Sequence, residues 1–111
     1  GEVEDRHAIL FDDIIDTGGT IAAASRALIE RGAKSVSVAA THGIFSDESV
    51  EKLKDTPIEE IVVTDTLKQN GNIEKIGNVN ILSVSSIIAT ALTSIFADDS
   101  VSAIFMGENV L

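Results

Sequence analysis

Cysteine is absent from these 111 residues, which excludes disulfides and thiolate metal sites and agrees with a reducing cytoplasm. Tryptophan and tyrosine are also absent, proline occurs once, and 44% of residues are hydrophobic. This is the composition of one compact domain, residues 1–111, rather than of a linker or disordered tail. No apolar run is long enough to cross a bilayer: the longest, residues 87–97, is broken by threonines and a serine and falls short of the ~20 residues required. Residues 1–7 are charged and lead directly into a strand pattern, unlike a signal peptide. Bases are scarce. Eight Lys and Arg face 18 Asp and Glu, for a formal net charge of −10, so nucleic acid and anionic membranes are both set aside as partners. An anion site in so acidic a chain has to draw on backbone amides, a divalent cation, or bases supplied by other protein.

One stretch carries most of the chemistry: Ile9-Leu10-Phe11-Asp12-Asp13-Ile14-Ile15-Asp16-Thr17-Gly18-Gly19-Thr20. An apolar strand ends in two acids, turns over a small glycine-bearing loop, and passes into a helix near Ile21. A helix N-terminus leaves its first amides unpaired, and Gly18 and Gly19 place no side chain between backbone and ligand, so the loop can surround an anion with N–H donors. Thr17 and Thr20 add hydroxyls. Asp12 and Asp13 would repel a phosphate at short range and suit neutral hydroxyls or a bridging metal ion. Together these point to a phosphorylated sugar. A Walker A loop would need a lysine where Gly19 stands, and a dinucleotide fingerprint would need a third glycine.

Around this stretch, strands and helices alternate. Residues 8–11 predict a short buried strand. Residues 21–31 predict an amphipathic helix closed by Gly32 at the C′ position, with Thr20 or Asp16 available as cap. A β-branched strand over 35–40 leads to Thr41, His42 and Gly43. Residues 46–54 predict a helix with Ser46 as N-cap, Asp47 and Glu48 in the first turn, Lys52 and Lys54 near the end, and Pro57 stopping it. A strand over 58–63 leads to Thr64, Asp65 and Thr66, the polar segment 67–77 reads as a loop, and residues 79–84 form a fourth strand. Ser85 or Ser86 then caps a helix over 87–96, and 100–111 is a tail. The pattern is that of an α/β fold with an open, mostly parallel sheet and flanking helices, whose ligands gather at the carboxyl ends of the strands. The polar clusters at 12–20, 41–43 and 64–66 should then share one rim. His42 reads either as a ligand contact or as a structural turn residue. The acid pairs Glu59-Glu60 and Asp98-Asp99 read as solvated ends of elements.

The motif over residues 9–20 resembles the phosphoribosyl diphosphate (PRPP) signature of type I phosphoribosyltransferases and ribose-phosphate pyrophosphokinases. The segments at residues 40–46, 62–66 and 100–105 resemble the pyrophosphokinases in particular. The resemblance implies part of a type I phosphoribosyltransferase-like domain, with the loop amides on the 5-phosphate and the paired acids on the ribose hydroxyls. Its implied binding residues for ribose 5-phosphate or PRPP are Asp12, Asp13, Asp16, Thr17, Gly18, Gly19 and Thr20. Asp16 either approaches the leaving group or caps the helix. The implied reaction moves diphosphate from ATP to ribose 5-phosphate, with Mg²⁺ as cofactor, in a cytoplasmic homo-oligomer. The family's ATP-binding half, catalytic lysine loop and upstream metal ligands find no match here, so no catalytic residue and no protein-only metal site is expected in this chain, which reads as a carboxyl-terminal part. The alternatives are a purine phosphoribosyltransferase, although no Tyr or Trp is present to stack on a base, and a non-catalytic regulatory or assembly module.

Overall fold

The computed structural model describes residues 1–97. Strands and helices alternate: β1 (His7–Ile15), α1 (Gly19–Glu30), β2 (Ser35–Gly43), α2 (Asp47–Lys54), β3 (Glu60–Thr64), α3 (Asn72–Ile76), β4 (Val79–Leu82) and α4 (Ser85–Phe96), all expected from sequence except α3. The strands form one sheet in the order β1-β2-β3-β4, and every pairing is parallel. The open parallel α/β fold is therefore as the sequence predicts, and all the strand carboxyl ends lie on one rim.

Burial shows why these strands pair as they do. Val36, Val38 and Ala40 of β2 and Ile61 and Val63 of β3 are buried on the face that receives Ile21 and Ala22 of α1, Leu53 of α2 and Ile76 of α3. β-Branched residues at every second position suit a pleated surface covered by helices. On the opposite face none of the described residues covers Ile9, Phe11 or Leu82, and Phe11 is 81% exposed. β1 pairs only with β2 among the described residues, which makes it an edge strand.

Alanine and leucine give α1 its helical propensity. It ends at a Schellman turn: Gly32 N donates to Ile29 O at 3.0 Å, Ala33 N donates to Leu28 O at 3.0 Å, and Gly32 adopts φ +95. This is the predicted C′ glycine.

Several boundaries differ from the sequence reading. β1 continues through Asp12 and Asp13 to Ile15, and β2 continues through Thr41 and His42 to Gly43. The cause is mutual pairing, because Asp12 faces Ala40 and Ile14 faces His42 in register. Segment 67–77 is not all loop, since α3 forms within it and buries Asn72 and Ile76. None of the predicted side-chain caps makes its bond. Gly18 occupies the N-cap of α1 and Val84 that of α4, and Ser46 stands at the N-cap of α2 without bonding its amides. α4 packs on no other described element and buries none of its residues. The tail, Asp98-Asp99 and the segment 100–105 lie outside the described residues.

Candidate functional site

The site begins where burial along β1 and β2 changes phase. In β2 the buried positions are Val36, Val38 and Ala40, then Gly43 rather than His42; in β1 it is Ile15, not Ile14, that is buried. Asp13 and Thr41 fall at this slip and are missing from the paired register. The chain beyond Ile15 then turns into the loop, and Gly18 takes φ 79. That left-handed conformation disfavours any side chain, and a Cβ on Gly18 would also lie 2.7 Å from Leu53 Cγ. The glycine is thus needed for both conformation and close packing.

At the start of α1 the first intrahelical bond runs from Ala22 N to Gly18 O at 2.9 Å. The amides of Gly19, Thr20 and Ile21 consequently have no intrahelical partner and are available to an anion. Thr17 Oγ1 lies 3.5 Å from Gly19 N, and Thr20 is exposed. Asp12, Asp16, Thr17, Gly18, Gly19 and Thr20 line one concavity of about 190 Å³. Pockets that enclose whole ligands run to roughly 300–1,000 Å³, so this one suits a phosphate with part of its sugar.

The loop is braced from behind. Ile15 O accepts hydrogen bonds from Ile44 N at 2.8 Å and Phe45 N at 3.2 Å, and Asp16 O accepts from Ser46 N at 3.1 Å. Ser46 Oγ also donates to Asp16 O at 3.3 Å, which is where the predicted helix cap is engaged instead. Phe45 is fully buried at φ 50. Its carbonyl accepts from Asn72 Nδ2 at 2.9 Å and Asn70 Nδ2 at 3.2 Å, while Gln69 Nε2 donates to Gly43 O at 2.9 Å. Sequence reasoning missed these amides because their partners are backbone carbonyls more than twenty positions away, which leave no mark on local patterning.

Asp13 does not line the concavity. Its backbone N donates to Asp12 Oδ1 at 2.7 Å. A hydrogen bond with the Asp12 side chain holds the Asp13 carboxyl below its ordinary value, helped by the amides of Asp13 and Ile14 and by the charge of His42. His42 Nδ1 in turn lies 2.7 Å from Thr66 Oγ1, and Thr64 Oγ1 donates to Thr41 O at 2.6 Å. The three predicted polar clusters therefore meet on one rim. Asp65 serves a different purpose: its carboxylate accepts the Val84 amide at 2.9 Å, and this bond, with one to Ser83, lowers its pKa.

No basic residue lies in the motif, yet the fold brings one beside it. A Cβ on Gly19 would sit 3.5 Å from Lys52 Nζ, which also pairs with Glu48 Oε2 at 3.2 Å. Lys52 reads in sequence only as a helix-end cation.

The family described as "Phosphoribosyl synthetase-associated domain" matches residues 1–106. The chain belongs to this family. Ribose-phosphate pyrophosphokinases from Haemophilus influenzae and Buchnera aphidicola are each 47% identical to it over 105 residues, covering 95% of this chain and 33% of theirs. A crystal structure of phosphoribosylpyrophosphate synthetase from Mycobacterium smegmatis superposes with a TM-score of 0.80 at 39% identity, covering 88% of this chain and 33% of that one. The chain thus spans about a third of the length of the curated relatives it matches. Membership of the synthetase-associated family also favours the pyrophosphokinase resemblance over the purine phosphoribosyltransferase alternative. No helix among the described residues is long and apolar enough to cross a membrane.

Proposed function

We propose that this chain is the ribose 5-phosphate-binding, carboxyl-terminal part of a ribose-phosphate pyrophosphokinase. The observation that carries the reading is the braced loop 16–20, whose residues line the concavity together with Asp12 and whose helix-start amides have no intrahelical partner. The amides of Gly19, Thr20 and Ile21 take the 5-phosphate, and Asp12 reaches the ribose hydroxyls on the same wall. Asp13, kept ionised by its surroundings, accepts from a hydroxyl further along the rim.

Mg²⁺ fits the donor set in a limited way. Among the described residues no group of three or more His, Asp or Glu side chains could hold a metal. Mg²⁺ characteristically uses one or two carboxylates and completes its shell with substrate phosphates and water, so Asp12 and Asp13 suit a shared ion rather than an enclosed one. Bound there, the ion would supply charge neutralisation to a phosphorylated substrate.

In the full-length cytoplasmic protein the product would be PRPP, with AMP released from ATP bound by the remainder of the polypeptide. Phosphoryl transfer needs Lys, Arg and metal to absorb charge, and the rim residues of this chain bind and orient without providing that set. Calorimetric titration with ribose 5-phosphate, alongside an assay for AMP release, tests the reading. The expected result is ribose 5-phosphate binding with no turnover by the isolated chain. Absence of binding by a folded chain overturns the proposal.

A further inference from the structure

The phosphate loop sits in a chain of net charge −10, so an anion approaching it meets repulsion that three amides offset only locally. The fold answers this with α2. Leu53 packs directly beneath Gly18, which fixes the register of α2 against the loop. The preceding residue, Lys52, is thereby carried past Gly19, with Nζ 3.5 Å and Cδ 3.7 Å from where a Cβ on Gly19 would stand. Two further contacts hold α2 in place: Thr56 Oγ1 donates to Lys52 O at 2.5 Å, and Arg26 Nη2 of α1 donates to Thr56 Oγ1 at 3.3 Å.

We propose that Lys52 is the cation of this phosphate site, held beside the loop by Glu48 and transferred to the phosphate when it binds. The proposal rests on the reading of loop 16–20 as the 5-phosphate site. Lys52 and Glu48 side chains are 45% and 68% exposed, and an ion pair so exposed holds its partners weakly. A dianionic phosphate offers a stronger acceptor than one carboxylate, and a lysine's flexible stem and three donors allow the short move without disturbing α2.

Titration of the 111-residue chain with ribose 5-phosphate and with inorganic phosphate, at low and at high salt, tests the assignment. Lys52→Gln should weaken both ligands about fivefold at low salt, with the gap closing as salt screens the charge. Lys52→Arg should retain most of the affinity, and Glu48→Gln should tighten both ligands about twofold by removing the competitor. Circular dichroism of each variant reports the fold, so a loss that salt leaves unchanged marks a structural effect and overturns the proposal. Equal affinities for the parent chain and Lys52→Gln overturn it while leaving the loop reading intact. Absence of binding by the parent chain overturns both.

Discussion

At the scale of single residues, the loop is governed by two constraints that act at Gly18. Its φ of 79 and the 2.7 Å approach of a Cβ to Leu53 Cγ leave no room for a larger residue. Gly18→Val should abolish phosphate binding and lower stability by about 1–3 kcal/mol, read by titration and urea denaturation. On the proposed reading, Asp12 and the loop would divide the ligand between them. Asp12→Asn should weaken ribose 5-phosphate while leaving inorganic phosphate nearly unaffected, and equal losses for the two ligands would refute that division. Asp13 carries a pH signature. Its folded pKa is depressed by Asp12, by the nearby amides and by His42, so the interactions concerned favour the ionised form. Their contribution to stability is complete above the ordinary value of 3.8 and is lost as pH falls through the lower folded value. Carbon-13 titration of the Asp13 carboxyl should show that low value, and His42→Gln should raise it slightly.

At the scale of elements, the short helix α3 matters more than its length suggests. Asn72 is buried, and its amide donates to both Phe45 O and Asp47 Oδ1. Asn72→Ala leaves the Phe45 carbonyl with Asn70 as its one remaining side-chain donor, in the turn whose amides donate to Ile15 O and Asp16 O. A stability loss of about 1–3 kcal/mol in urea denaturation is expected, together with weaker phosphate binding. α4 is held differently. Its entry is tied to the sheet rim by the bond from the Val84 amide to Asp65, so Asp65→Asn should speed hydrogen exchange at Val84 while leaving exchange in β2 and β3 unchanged. Both anchors escaped sequence reasoning because their partners are distant in the chain. What periodicity did reveal was the strands and the longer helices, though not α3, since the β-branched runs of β2 and β3 and the glycine closing α1 are local signals.

At the scale of the whole molecule, helices cover one face of the sheet, and among the described residues the other face leaves Ile9 and Phe11 exposed on the β1 edge and Leu82 exposed on β4 at the opposite edge. Ile88, Leu92, Ile95 and Phe96 of α4 are exposed as well. An apolar face beside an edge strand invites association. Light scattering at micromolar concentration is expected to show species larger than a monomer, and a well-behaved monomer would refute the expectation. Parallel sheets normally bury both faces, and this chain spans only about a third of its relatives.

The succession of the four strands with α1, α2 and α4, the glycine-bearing loop and the shared rim were determined by the sequence alone, because apolar periodicity, a closing glycine and a contiguous motif act over a few residues, whereas α3 was not. Tertiary structure decided the extension of β1 and β2 through their polar ends, the separation of Asp13 from the concavity, the bracing by Asn70 and Asn72, and the position of Lys52. Each of these depends on a neighbour far away in the chain. Pairing across strands and the packing of Leu53 under Gly18 bring such neighbours together, and no local pattern encodes the distance that results.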